Sequence, residues 1–163
     1  MDKRPLGINT YEAAKQRIEY VFDTFPKIYL SFSGGKDSTV MLHMVMDEAI
    51  KRNRKIGVLF VDLEGQYKLT IDHIQECYDL YADFIEPYWV ALPIHLRNAV
   101  SQYQPQWICW ERGKELSWVR QPPKMAITEE KYFPFYRYSM EFEEFVPEFG
   151  HWYGGDKLTA CFV

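Results

Sequence analysis

The sequence contains few cysteines, and their positions exclude the frameworks that cysteine usually builds. Cys77, Cys109 and Cys161 are isolated, with no C-x-x-C pair. No cysteine or histidine spacing matches a structural zinc site. We therefore expect three reduced, buried thiols in a cytosolic protein.

Long apolar runs and a basic surplus are also absent. No run approaches the ~18 residues of a membrane span, and the first ten residues, MDKRPLGINT, lack the apolar core of a signal peptide. The 19 Lys and Arg residues are outnumbered by 23 Asp and Glu residues, which gives a net charge of −4. The expectation is a cytoplasmic protein that binds no membrane, and direct nucleic-acid binding is not expected.

What is present is the composition of a folded protein with unusually many aromatic side chains. Hydrophobic residues make up 47% of the chain and charged residues 26%, as in soluble globular domains. The 163 residues fit one domain, 1–163. Aromatic residues reach 17%, and most of the surplus follows Tyr88.

The hydrophobic pattern alternates between helix and strand. It predicts one helix at about residues 10–25, a second that begins at residue 38, and a third that begins at residue 66 and includes Ile85. It predicts strands at residues 28–32, 55–61 and 88–92. Two successive β-α-β units imply a parallel sheet with right-handed crossovers.

The second half is less regular. Residues 101–138 carry interleaved tryptophans and basic residues without a clean period, and we interpret them as an insertion or lid, called here the aromatic-basic segment. A helix at residues 139–149 and a strand at 158–163 follow. Because the last predicted strand ends the chain, we expect a domain truncated at its C-terminus.

The glycine-rich loop, residues 33–39 (SGGKDST), lies between the first predicted strand and the helix that follows it. The first amides of a helix have no intrahelical acceptor, and the helix dipole adds positive charge there. Gly34 and Gly35 allow a close approach of the backbone, while Ser33, Ser38 and Thr39 add hydroxyl donors. Lys36 adds a charge. This pattern favours an anion site over an ordinary strand-to-helix turn.

Two common phosphate motifs are not met: Asp37 replaces the Ser or Thr of G-x-x-x-x-G-K-[ST], and G-x-G-x-x-G is missing. The string instead resembles the PP-loop, S-G-G-x-D-S, of the N-type ATP pyrophosphatase and phosphoadenylylsulfate (PAPS) reductase superfamily. That resemblance implies a three-layer α/β fold with a mainly parallel sheet, adenine nucleotide α-hydrolase-like and therefore Rossmann-like.

The resemblance extends over nearly the whole chain, through FVDLEGQYKLTIDHI, PYWVALPI, CWERGKELSWVRQPP and LTACFV. These segments are similar to the immunoglobulin-binding regulator A type of PAPS reductase-like protein. By resemblance, residues 33–38 would hold nucleotide phosphates, with Lys36 and Asp37 as candidate catalytic residues and Asp37 as a candidate Mg²⁺ ligand. Asp62 would lie near the adenosine, with Glu64 close by. The alternative for Asp62 is a polar strand terminator or helix cap.

Two family features do not occur. True PAPS reductases attack the sulfonate with a cysteine of an E-C-G-x-H type motif, and its absence leaves a thiol reductase poorly supported. The Gly-x-Arg segment that follows the family's fourth strand does not appear before Val163.

The aromatic-basic segment suits a second anion, because Arg pairs bidentately with sulfate or phosphate. We hypothesise that it forms a lid that selects a second substrate through Arg112, Lys114, Arg120 and Lys124. Two alternatives remain open: a satellite core whose charges only solvate it, or a surface for a protein partner or second copy.

The resemblance implies binding of ATP or PAPS, with Mg²⁺. The favoured function is enzymatic: adenylyl transfer with pyrophosphate release, or PAPS-dependent sulfo-group chemistry. The alternative is a non-catalytic regulator that senses the nucleotide and acts through a partner. His43 is expected in the core, the spacing of the other histidines does not indicate a metal site, and Cys109 is an unfavoured candidate nucleophile.

Overall fold

The computed structural model describes residues 7–98 and 102–163. Its centre is a four-stranded parallel sheet made of β1 (Lys27–Ser31), β2 (Ile56–Val61), β3 (Ile85–Val90) and β6 (Thr159–Phe162), in the order β3-β2-β1-β6. A separate antiparallel pair joins β4 (Ile94–Arg97) to β5 (Gln106–Cys109).

Helices cover both faces of the sheet. The first three, α1 (Thr10–Thr24), α2 (Lys36–Lys51) and α3 (Lys68–Leu80), pack with one cluster of buried residues, whereas α4 (Phe142–Gly154) packs with another. Successive strand residues point to opposite faces, so Leu30 joins the first cluster and Tyr29 the second. The expected three-layer, Rossmann-like α/β fold is confirmed.

Local sequence explains the elements that lead to the glycine-rich loop. Asn9 caps α1, since its side chain accepts a hydrogen bond of 2.9 Å from the Glu12 amide. Pro26 follows the helix, which ends at Thr24. All six residues of β2 are buried, as expected for a parallel strand covered on both faces.

The strand order positions the glycine-rich loop at a switch point of the sheet. From β1 the chain moves by way of α2 to β2 and then β3 on one side, while β6 pairs with the other side of β1. In open α/β sheets, ligands bind outside the carboxyl ends of strands at such a reversal. The loop directly follows the carboxyl end of β1, beside this reversal.

Three predicted boundaries are wrong. Helix α3 ends at Leu80, where a turn begins in which the Tyr81 carbonyl accepts from the amides of Phe84 and Ile85. Ile85 therefore begins β3 and pairs with Ile56, so this strand covers Ile85–Val90 rather than residues 88–92. Helix α4 covers Phe142–Gly154, later than predicted, and includes Pro147.

The described part of the aromatic-basic segment begins at residue 102, because Ser101 lies outside the described residues. It contains β5 and two short 3₁₀ helices, Glu115–Ser117 and Glu130–Tyr132. Trp110 and Phe133 are buried in the same cluster as Phe145 of α4. For these aromatic residues the structure supports the satellite-core alternative.

The cysteine expectation is partly wrong. Cys77 and Cys109 are buried, but Cys161, on the edge strand β6, is exposed. No helix in residues 7–98 and 102–163 is long and apolar enough to cross a membrane.

Candidate functional site

Gly34 shapes the glycine-rich loop. Its φ of +72° lies in the left-handed region, which glycine adopts without steric cost. The loop also lies tightly against α3: a Cβ placed on Gly34 would stand 2.7 Å from Cδ1 of Ile74 and 3.1 Å from Cγ2 of Thr70. Both backbone conformation and space therefore require glycine at this position.

Gly35 is the N-cap of α2 and has no side chain to cap the helix. Its carbonyl accepts hydrogen bonds from the Thr39 amide (2.9 Å), the Thr39 hydroxyl (2.9 Å) and the Ser38 hydroxyl (3.0 Å). The amides of Lys36, Asp37 and Ser38 begin the helix, where no carbonyl one turn earlier can accept from them. They form the part of the loop suited to an anion.

The loop hydroxyls bond to the loop itself. Because Ser38 donates to the Gly35 carbonyl, Ser33 Oγ donates to Ser38 Oγ across 3.0 Å, and Ser33 Oγ accepts from the Gly35 amide at 3.3 Å. The Thr39 hydroxyl is likewise hydrogen-bonded to the Gly35 carbonyl. In this arrangement the three hydroxyls hold the loop in shape, and the donors left to face an anion are backbone amides and Lys36.

Lys36 and Asp37 project into solvent. Their side chains are 89% and 95% exposed, and Lys36 Nζ lies 3.7 Å from a carboxylate oxygen of Asp37. An exposed pair at this distance is weakly bound, so each side chain is free to turn toward a ligand.

Sequence reasoning did not find His73 of α3, which lies directly behind the loop. Its Nε2 is 2.9 Å from Thr39 Oγ1 and 3.7 Å from the sulfur of Cys77. The contact joins residues 34 positions apart, and a single histidine on a helix carries no sequence signal for it.

Asp62 is fully buried at the end of β2. One carboxylate oxygen accepts from the Glu64 amide (2.9 Å) and from Arg120 Nη2 (2.5 Å), and the other accepts from the Trp89 indole (2.8 Å). This environment favours the structural alternative for Asp62, a strand terminator that also pairs a cation. Contact with an adenosine would require Arg120 to move.

Glu64 attaches the aromatic-basic segment to the same strand end. It is buried, adopts a left-handed φ of +65°, and accepts hydrogen bonds from the backbone amides of Trp110 (2.7 Å) and Val119 (2.9 Å). The Trp110 indole adds a bond of 2.6 Å to the Asp62 carbonyl. These bonds attach the segment at the carboxyl edge of the sheet.

The four proposed lid cations have different surroundings. Arg120 pairs with Asp62 and lies over the Trp110 ring, and its Nε and Nη1 are buried without hydrogen-bond partners. Arg112 pairs with Glu130, and Lys114 with Glu111. Lys124 lines a separate surface depression beside Ile127 and Tyr132.

The aromatic-basic segment also borders an open cleft of about 550 Å³. Trp107, Trp118, His95 and Lys114 line it, with Glu64 among the lining residues. The volume is in the range of small-molecule sites. No residue of the glycine-rich loop lines this cleft.

The contacts of the other candidate residues do not indicate a catalytic or metal-binding role. Burial raises the pKa of the Cys109 thiol to about 12, which disfavours it as a nucleophile. His43 is half-buried and bonds to the Tyr81 hydroxyl at 2.6 Å. Within the described chain, no group of three or more His, Cys, Asp or Glu side chains is arranged to hold a metal ion.

The fold and the loop together define a class: a Rossmann-like α/β domain with a serine- and glycine-rich loop at the carboxyl end of its first sheet strand. Residues 27–113, from β1 through β5, match the phosphoadenosine phosphosulfate reductase domain. The chain belongs to this family, and the resemblance inferred from the sequence is confirmed.

A curated relative is similar over almost the whole chain. It is the uncharacterized protein YbdN of Escherichia coli (strain K12), 47% identical over 162 residues. The alignment covers 99% of this chain and 39% of YbdN. The chain thus spans well under half the length of that relative.

Proposed function

We propose that the glycine-rich loop binds the phosphate-bearing end of an adenine nucleotide, either ATP or PAPS. The observation that carries the proposal is the prefolded loop at the switch point, with the amides of residues 36–38 at the start of α2 and the exposed Lys36 beside them. Membership of the PAPS reductase domain family supports the choice of ligand.

Within this proposal, Lys36 and Asp37 act on the phosphates. Lys36 would neutralise charge that develops on them, because a mobile ammonium is well suited to a phosphate oxygen. Mg²⁺ usually binds through one or two carboxylates together with substrate phosphates. The exposed carboxylate of Asp37 fits this requirement, whereas the buried and fully bonded Asp62 does not.

The proposed chemistry is adenylyl transfer with release of pyrophosphate, or transfer of the sulfo group when the ligand is PAPS. In either displacement the protein mainly supplies positioning and charge stabilisation. The second candidate function is a nucleotide-sensing regulator that acts through a partner protein. The same loop would serve this function, since holding the anion through backbone amides and Lys36 requires no turnover.

We also retain the aromatic-basic segment as a proposed cover for a second substrate, with Arg112, Lys114, Arg120 and Lys124 as its cations. Its attachment through Glu64 at the end of β2 supports this location. Arg120 then acts from a fixed position because Asp62 holds it.

Calorimetric titration with ATP and with PAPS tests the binding proposal. Lys36→Met should weaken binding about tenfold or more, because a hydrogen bond to a charged group contributes about 1.5–3 kcal/mol. Lys27→Met is the matched control. Lys27 begins β1 at the end of the strand opposite to the glycine-rich loop, and its ammonium lies over the Tyr153 ring. Equal affinity of both variants and the wild type would contradict the proposal.

Turnover separates the two candidate functions once binding is established. ATP-pyrophosphate exchange indicates adenylyl transfer, and release of a sulfo group from PAPS indicates sulfo-group chemistry. Nucleotide binding with neither reaction, in this chain and in a version extended to the length of YbdN, selects the regulator.

A further inference from the structure

Helix α3 contacts the glycine-rich loop from behind through three residues. Thr70 and Ile74 stand close to Gly34, and His73 reaches Thr39. The first two contacts are apolar and limit only the space available to the loop. The His73 contact is a hydrogen bond and therefore also has a direction.

The protons at Thr39 determine which way that bond runs. A threonine hydroxyl carries one hydrogen, and we assign it to the Gly35 carbonyl at 2.9 Å, because that oxygen can only accept. Thr39 Oγ1 can then only accept from His73 Nε2, which lies at 2.9 Å. With this assignment, the His73 proton lies on Nε2, the ring nitrogen that faces Thr39 and is also 3.7 Å from the Cys77 sulfur.

The Gly35 carbonyl controls the amide that follows it. A trans peptide is planar, so the carbonyl oxygen of Gly35 and the N–H of Lys36 point in opposite directions. Gly35 O is drawn toward the body of α2 by Thr39 and Ser38. The Lys36 N–H is thereby aimed away from the helix, toward the position proposed for the anion.

We propose that His73 is a positioning residue for nucleotide binding: its Nε2–H fixes the Thr39 hydroxyl, which fixes the Gly35–Lys36 peptide. The inference rests on the proposed function of the loop. His73 touches no ligand in this role and acts entirely through Thr39. Its loss should weaken nucleotide binding through a less ordered peptide, with α3 still in place.

A pair of substitutions separates the hydrogen bond from the shape of the side chain. His73→Met fills a similar volume without a donor, whereas His73→Gln retains an N–H donor at the end of the chain. We expect His73→Met to weaken ATP or PAPS binding about fivefold to tenfold, and His73→Gln to recover most of it. Thr39→Val removes the same hydroxyl from the α2 side and should have an effect of similar size.

His43 provides the matched control. It is a second half-buried histidine that joins α2 to the chain beyond α3, through the Tyr81 hydroxyl at 2.6 Å. His43→Met should lower stability by a comparable amount and leave nucleotide affinity unchanged. Urea unfolding of each variant verifies the folded state before titration.

The double variant His73→Met/Thr39→Val completes the test. Because both residues act through one chain of bonds, the double variant should bind no more weakly than the weaker single variant. Independent, multiplying effects would overturn the proposal, and so would equal affinities of His73→Met and the wild type. If His73→Met does not fold, Thr39→Val with unchanged affinity overturns it instead.

A readout without ligand keeps this inference distinct from the proposed function. The amide NMR resonance of Lys36 should shift in His73→Met and return toward the wild-type position in His73→Gln. If the wild type binds neither ATP nor PAPS while this pattern is observed, the proposed function fails and the positioning of the peptide stands. An unchanged Lys36 resonance in His73→Met overturns the positioning.

Discussion

Gly34→Ala is expected to weaken nucleotide binding at least about 30-fold. A left-handed backbone costs a non-glycine residue about 1–2 kcal/mol, and overpacking adds about 1–3 kcal/mol. The new methyl group would stand 2.7 Å from Ile74. We expect the loop to relieve this strain by adopting a conformation that does not bind the nucleotide. The apparent affinity then falls in proportion to the fraction of molecules that keep the binding conformation. Calorimetric titration with ATP and PAPS measures the effect.

Two other glycines serve as controls for this prediction. Gly35→Ala introduces a methyl group with 3.4 Å to the nearest atom, Ser33 Oγ, and no backbone strain, so it should fold like the wild type; it controls for folding alone, because Gly35 belongs to the proposed binding loop. Gly155 follows α4 with a φ of +56° and open space around it. Gly155→Ala should lower stability through its backbone and leave nucleotide affinity unchanged. An affinity of Gly34→Ala within twofold of the wild type would contradict the loop geometry.

Asp62→Ala is expected to destabilise the fold by about 3–5 kcal/mol, because removing one partner of a buried ion pair leaves an uncompensated charge. Arg120 would lose its only carboxylate among the described contacts, with two of its nitrogens already unpartnered. The Trp89 indole would lose its acceptor as well. Urea unfolding followed by tryptophan fluorescence measures the change in free energy.

Asp72 is the matched control for Asp62. It pairs with Lys68 at the same 2.5 Å, but on the exposed side of α3. Asp72→Ala should change stability by less than about 1 kcal/mol. The Asp62→Asn/Arg120→Met double variant should lose less free energy of unfolding than Asp62→Asn and Arg120→Met lose in sum. The reason is that neither charge remains unpaired in the double variant. Equal effects of Asp62→Ala and Asp72→Ala would show that burial does not strengthen this pair.

Features that the sequence predicted well are local or depend on continuous hydrophobic patterns. The strand β1, the loop and the start of α2 are contiguous, so glycine, hydroxyl and hydrophobic positions identified them together. Strand β2 was found because residues 55–61 form a near-continuous apolar run, and the structure buries all six of the strand's residues. The family followed from the same loop and was confirmed by the match to residues 27–113.

Features that the sequence did not predict depend on contacts between distant residues. His73 and Thr39 are 34 positions apart, and Arg120 and Asp62 are 58 apart. Neither pair has a signature that could be recognised before the fold is known. Ile85 was assigned to a helix because it continued the spacing of α3, whereas pairing with β2 places it in a strand. The short strands β4 and β5 have too few residues for a reliable period.

The central claim is that the backbone at the start of α2 binds the nucleotide's anionic end, and amide NMR during a titration with ATP or PAPS measures this directly. The resonances of Lys36, Asp37 and Ser38 should shift most and saturate with a single affinity. If the nucleotide instead shifts residues around the Trp107 and Trp118 cleft and leaves these three amides unchanged, the claim is contradicted.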